Sequence, residues 1–213
     1  MTLPNAILFP QAFLPLYIFE PRYQRMLKDT LDTHRMFTVA MQQPGRQREK
    51  PSAVAGLGLI RAAVSRKDGT SNLVLQGIAR VELAEVVRYR PYRLQRIRPL
   101  RSEMTDSLAV EALTLKVLEI VSGRLAAGER LLVSPSGQLE VTAAVGEGED
   151  VTNAGVELMA ELKNPGQVAD LVSWTLLTDP IQRQALLETL DVEFRLRRLI
   201  HFLMAESGRS RNN

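Results

Sequence analysis

The 213-residue chain contains no cysteine. No disulfide framework and no thiolate metal site can form, and such a chain fits a reducing compartment. Histidine is nearly as scarce. His34 and His201 stand far apart in sequence, which argues against a histidine-based metal centre. Lysine is rare too, with 5 residues against 22 arginines, inside a net charge of only +3. The arginine fork grips phosphate and carboxylate, so nucleic acid stays open as a partner, but a GC-rich genome produces the same bias with no functional meaning. Long apolar runs are absent. A membrane helix needs about 20 uninterrupted apolar residues, and the chain offers none, so no membrane association is expected. The catalytic signatures G-x-x-x-x-G-K-[ST], G-x-S-x-G, H-E-x-x-H and G-x-G-x-x-G are missing as well. No metal or cofactor is expected.

The chain does have an apolar opening, "NAILFPQAFLPLYIFEPRYQRML", cut by Pro10, Pro15 and Pro21. A signal peptide would place basic residues before an unbroken apolar core, and here the first base is Arg22. A soluble, cytoplasmic protein is expected. Proline disfavours helix at the residue before it, so "AILF" and "LPLYIF" read as two short buried strands joined by a turn at Pro10–Gln11. Pro21 suits the first position of a helix, "PRYQRMLKDTL". "RMFTVAMQQ" is a strand, and residues 44–51 form a surface loop. Residues 57–79 form a hairpin turning at Asp68–Gly69 through a type I′ turn. Gly77 marks a bulge or close backbone approach, and "YRPYRLQRIRPL" is an edge strand.

After Ser102 the pattern becomes helical. One helix carries the stripe Leu108, Ala112, Leu115, Leu118, Ser122 and Leu125 and stops near Gly128. Residues 129–152 read as an irregular loop or hairpin, and a helix over 151–164 ends at Asn164–Pro165. A further helix aligns Val168, Leu171, Val172 and Thr175. The next starts with Asp179 as its N-cap and Pro180 at N1. The last aligns Val192, Leu196, Leu199, Ile200 and Leu203 and carries His201 as a packing residue. The expected fold is α+β, with a β-rich domain at 1–103 and an α-helical one at 104–213.

The ordered set Phe9, Pro10, Leu14, Pro15, Leu16, Ile18, Phe19, Glu20, Pro21, Arg22 and Tyr23 resembles the opening of the Lon protease N-terminal domain family. "VAGLGLIRAAVSRKDGTSNLVLQGIARVEL" is similar to that family's hairpin and following strand, and residues 170–203 to its closing helices. The resemblance runs from about residue 3 to residue 204, outside 129–152. It implies a six-stranded PUA-like pseudobarrel followed by a helical bundle. In full-length Lon proteases the region precedes an ATPase and a serine-lysine peptidase and helps to hold unfolded substrates. This chain ends where the ATPase would begin, so a stand-alone, non-enzymatic member is expected.

Three sets of residues are candidates for a role. "RKDGTSN" superficially matches the surroundings of the Lon nucleophile, but Lys67 and an exposed Ser71 at a hairpin turn lack the paired lysine and oxyanion donors that a nucleophile requires. No catalytic residue is assigned. The motif residues Phe9, Pro10, Leu16, Phe19, Glu20, Pro21, Arg22 and Tyr23 are assigned mainly structural roles, with Glu20 favoured by the helix dipole. An apolar groove where barrel meets bundle, with Met36 and Met41 as its adaptable members, would hold unfolded or client polypeptide. The alternative is RNA binding by Arg88, Tyr89, Arg90, Tyr92, Arg93, Arg96 and Arg98, the arginines on phosphates and the tyrosines stacking bases. The flanking acids Glu82, Glu85 and Glu103 favour instead a charged edge strand that resists sheet-to-sheet aggregation. A separate ATPase or protease is a further expected partner.

Overall fold

The computed structural model describes residues 1–45, 49–103, 107–127, 162 and 164–210, with residues 207–210 described by backbone alone. The helix expected over 151–164 and the irregular 129–152 segment lie outside these residues, except for Leu162 and Asn164, and neither of those is helical. The chain divides into two compact units, Met1–Leu100 and Arg101–Asn213. Glu103 belongs to the second unit: its N–H donates to Leu190 O at 3.1 Å, and its carbonyl accepts from Val192 N at 2.9 Å.

The first unit holds six strands and one helix: β1 (Thr2–Leu3), β2 (Phe13–Ile18), α1 (Pro21–Leu31), β3 (Met36–Met41), β4 (Val54–Ser65), β5 (Ser71–Arg88) and β6 (Leu94–Leu100). The sheet runs β1-β3-β4-β5-β2, with β6 also on β5. Strand β5 is its spine. It pairs with β4 along one edge, while β2 takes Ser71–Gln76 and β6 takes Arg80–Arg88 along the other.

"AILF" is not a strand. Residues 6–9 form no ladder, yet Ile7, Leu8 and Phe9 are buried. Their backbone lies directly on β4 and β5. A Cβ on Gly56 would stand 2.0 Å from Leu8 O, and one on Gly77 only 1.9 Å from Phe9 O. No side chain fits at either position, so these two glycines let a buried segment take the place of a strand. The register also shifts beside Gly77, where Leu57 pairs with Ala79 and Gly58 with Gly77. The sequence reading of Gly77 as a bulge or close approach therefore holds on both counts.

The hairpin turns at Asp68–Gly69, but not through a type I′ turn. Gly69 has φ +84° and Asp68 stays out of the positive-φ region. Gly69 N donates to Arg66 O, and Arg66 N donates to Thr70 O. This is the three-residue loop in which a glycine in the left-handed region follows a tight turn. Asp68 Oδ1 accepts from both the N–H and the hydroxyl of Thr70, so its side chain is satisfied without positive φ.

The second unit contains, among the described residues, α2 (Leu108–Ala126), α3 (Pro165–Leu176), α4 (Pro180–Glu188) and α5 (Val192–Ser210). Side-chain caps start each one. Ser107 accepts from Val110 N, Asn164 from Gly166 N, Asp179 from Ile181 N and Asp191 from Phe194 N. Asn164–Pro165 therefore opens a helix. The buried face of α2 is Val110, Val117, Val121 and Leu125, while Leu108 and Leu115 are exposed. Of the expected stripe, Leu125 is buried and Leu118 and Ser122 are half-buried, while Leu108, Ala112 and Leu115 are exposed, because α2 carries apolar residues on most sides and periodicity alone cannot choose the covered one. In α5, Val192, Leu196, Leu199 and Leu203 are buried as expected, whereas His201 is exposed.

One buried charge was not foreseen. Arg195 is fully buried (0 % exposed). Its guanidinium donates to Thr189 O (2.7 Å), Leu190 O (3.0 Å), Ser102 Oγ (2.8 Å) and Asp170 Oδ1 (3.1 Å). Asp170 neutralises the charge, and the carbonyls and the hydroxyl take up three further N–H groups.

Candidate functional site

Several motif residues make contacts that join the start of the first unit, while Phe19 is exposed. Phe9 is buried, with the Arg80 guanidinium 5.9 Å from its ring centroid, and the turn at Pro10 continues into Gln11 at φ +67°. Leu16 lies opposite Leu73 in the β2–β5 ladder. Pro21 starts α1, and the Tyr23 hydroxyl accepts from Thr2 N and donates to Thr2 O, tying β1 to α1. Glu20 occupies the N-cap position without a side-chain cap bond. Its carboxylate instead accepts from Arg22 Nε at 2.9 Å, and Arg22 also reaches Glu49. Burial disfavours the charged Arg22, but the bonds from Glu49 and Glu20 outweigh it and hold its pKa above the ordinary arginine value.

Ser71 is buried, against the expected exposure, because β2 and β4 flank it on both sides. Its Oγ lies 3.1 Å from Ser65 Oγ, while Lys67 is exposed in the turn. Among the described residues no group of three or more His, Asp or Glu is arranged to hold a metal ion.

Two surface features remain. The first is on β2, which had been expected to be buried. Tyr17, Asn72 and Val64 lie opposite one another across three strands, as do Pro15, Val74 and Ala62, so all six share one face. On that face Tyr17 (50 %) and Val64 (66 %) are exposed, with Phe19 (61 %) beyond the strand end. The Tyr17 and Phe19 rings stack at 5.8 Å, and the Arg66 guanidinium lies 5.7 Å from the Tyr17 centroid. A shallow hollow of about 410 Å³ opens between Pro15, Tyr17, Ala62, Val64 and Val74. The outer edge of β2 is open: among the described residues it pairs with β5 alone. Gly77 N donates to Ala12 O. By alternation Leu14, Leu16 and Ile18 bond toward β5, while Phe13, Pro15 and Tyr17 turn their backbone outward. Pro15, which has no N–H, points away from the ladder. The alternation of "LPLYIF" held the signal for this exposed face, and the density of apolar residues hid it.

The second feature is a cavity of about 510 Å³ bounded by α1, β3, β6 and the 88–93 turn. Two separate groups of candidates meet in it: Met36 on one side, and Arg88, Tyr92 and Arg93 on the other. The cavity is formed within the first unit. Met41, expected as an adaptable groove residue, is core instead, because it pairs with Leu3 of β1 and is covered.

The arginine-rich run is not one continuous strand, since β6 starts at Leu94 and residues 89–93 turn through a cis Arg90–Pro91 bond. Tyr92 therefore leaves the expected strand face. Its hydroxyl donates to Asp29 Oδ2 at 2.9 Å, and Arg88 covers its ring at 5.2 Å. Arg93 covers Tyr89 at 5.4 Å. That Tyr92 bond, with a second from Arg25, holds the Asp29 carboxyl below the usual range, while burial and the neighbouring Asp29 push the Tyr92 phenol up. Arg96 and Arg98 pair with Glu85 and Glu82 of β5.

Among the described residues, then, two features stand out, an apolar sheet face beside an open edge and a mostly apolar cavity. Comparison with known proteins gives the family. The family model of the ATP-dependent protease La (LON) substrate-binding domain matches residues 1–205, and the chain belongs to that family. Lon protease of Roseiflexus castenholzii is 28% identical over 97% of this chain and 24% of its own length. Lon protease of Phenylobacterium zucineum is 28% identical over 92% of this chain and 23% of its own. The chain thus spans about a quarter of these curated relatives. The solved N-terminal domain of Mycobacterium avium complex Lon protease shares the fold with a TM-score of 0.71 at 16% identity, each chain covered to 96%. A Lon N-terminal domain protein from Xanthomonas campestris does so with 0.64 at 20% identity, covering 94% of this chain and 96% of its own.

Proposed function

We propose that this chain is a non-catalytic module that holds unfolded or client polypeptides, acting as an adaptor or chaperone-like partner of a separate ATPase or protease in the cytoplasm. In this reading the strands form a PUA-like pseudobarrel and the helices a bundle. The observation that carries it is the exposed cluster of Tyr17, Phe19 and Val64 beside the open edge of β2. An unfolded client presents what that surface lacks: apolar side chains for the face and unpaired backbone for the edge. Pro15 removes one donor from the edge, so pairing stays short and the complex weak, on the order of micromolar or poorer. Apolar contact also makes binding tolerant of salt.

Titration of a permanently unfolded polypeptide at low and high salt tests this. Binding should change little with salt and should fall about tenfold in a Tyr17→Ser, Phe19→Ser variant, as expected for two exposed aromatic anchors. Single-stranded RNA, titrated in parallel, would weaken steeply with salt through counterion release. RNA binding lost in Arg96→Ala, Arg98→Ala, with no polypeptide bound, would overturn the proposal.

A further inference from the structure

The cavity between α1, β3 and β6 has no part in that reading, and its chemistry is of a different kind. Its walls include Met36, Leu57, Leu83 and Ile97, and its rim carries Asp29, Glu49, Arg88 and Arg93. The two acids are already engaged. Asp29 accepts from the Tyr92 hydroxyl and pairs with Arg25 at 3.0 Å, and Glu49 pairs with Arg22. Neither Arg25 nor Arg22 lines the cavity, so each carboxylate has a partner outside it, and Arg88 acts on Asp29 in addition. The rim bases are placed differently. Arg93 donates to the backbone carbonyl of Glu49 and lies over Tyr89. Arg88 lies over the Tyr92 ring, which the Asp29 bond holds in place, and is exposed. An apolar hollow with surplus positive charge at its rim fits a ligand that is apolar at one end and anionic at the other.

Within a polypeptide, one position joins those properties on a single Cα: a C-terminal apolar residue, which carries an apolar side chain and a free carboxylate together. We propose that the cavity captures this C-terminal residue, its side chain lying among Met36, Leu57 and Leu83 and its carboxylate meeting the Arg88 guanidinium. The proposal rests on the polypeptide-binding reading for the class of ligand, though it concerns another surface. The volume of about 510 Å³ falls within the roughly 300–1,000 Å³ of ordinary ligand clefts, enough for one large side chain with its backbone. Met36 repacks around different side chains at little cost. Selection is then for the chain end and for apolar character, and not for one residue type.

The test uses the full chain and three probes, read by fluorescence anisotropy or competition with it: a labelled peptide ending in leucine with a free carboxylate, the same peptide amidated, and N-acetyl-leucine. The free acid should bind about tenfold more tightly than the amide, the scale of one charge-assisted contact. Arg88→Gln should bring the free acid to the level of the amide and leave the amide unchanged, while Arg88→Lys should retain part of the difference. The Tyr17→Ser, Phe19→Ser variant should weaken both peptides alike, which separates a failure of the exposed face from a failure of the cavity. Equal binding of acid and amide, or an equal loss of both in Arg88→Gln, would overturn the proposal and leave the polypeptide reading standing. N-acetyl-leucine binding as tightly as the free-acid peptide would overturn it as well, by assigning the cavity to small carboxylic acids.

Discussion

Both units bury an arginine and expose apolar side chains, Arg80 against Arg195 and Tyr17 against Leu108, but one feature of each stands apart. In the second unit a full charge is taken inside, where Arg195 meets Asp170, two backbone carbonyls and a serine hydroxyl. In the first, aromatic rings are left outside, with Tyr17, Phe19 and Val64 on an open sheet face. A buried arginine with four such bonds orients the elements around it, because each donor demands a partner at one distance and angle. Exposed rings orient nothing and stay available for contact. The difference teaches that exposed apolar groups alone do not single out a surface: what sets Tyr17 and Val64 apart is the open strand edge beside them.

The sharpest way to break the comparison is at Asp170. Asp170→Ala leaves the Arg195 charge buried without its carboxylate, which costs about 3–5 kcal/mol. Chemical denaturation followed by helical circular dichroism should show that loss. A change below about 1 kcal/mol, the worth of an exposed pair, would mean that the buried network does not organise the unit. In the first unit the matching lesion is steric. Gly77→Ala drives a methyl group into the carbonyl of Phe9, and because backbone must move, a loss of about 3 kcal/mol is expected, the upper range for overpacking. Gly56→Ala, against Leu8 O, should act alike. The smallest effect belongs to the turn. Gly69→Val places a β-branched residue at φ +84° and should cost about 1–2 kcal/mol in the thermal or chemical unfolding midpoint, with polypeptide binding unchanged. A neutral result would show that the loop relaxes into another turn.

Several elements were legible in the sequence because their signals are local. Pro21 and Asp179–Pro180 started helices where expected, and Asp68–Gly69 placed the hairpin turn. The ordered motif from Phe9 to Tyr23 pointed to the family that the comparisons show. The candidate site was less legible. Met36 and the Arg88–Arg93 turn were singled out for different partners, and nothing in their spacing showed that they line one cavity. Tyr17 and Phe19 sat in a run so apolar that burial was the natural reading. Ser71 is covered by its own hairpin partner β4 and by β2, which is distant in sequence, and local polarity carried no trace of the latter.

By itself the sequence determined the turn at Asp68–Gly69, the helix starts at Pro21 and Pro180 and the family, since each depends on a few adjacent residues. Only the tertiary structure decided which face is covered. Helix α2 carries apolar residues on most sides, and β2 alternates two apolar faces, so the choice belongs to whatever packs against them. The same holds for Arg195. An arginine in an amphipathic helix looks like a surface charge until Asp170, Thr189, Leu190 and Ser102 close around it. Those partners lie up to 93 positions away in the chain, a separation that no local preference can encode.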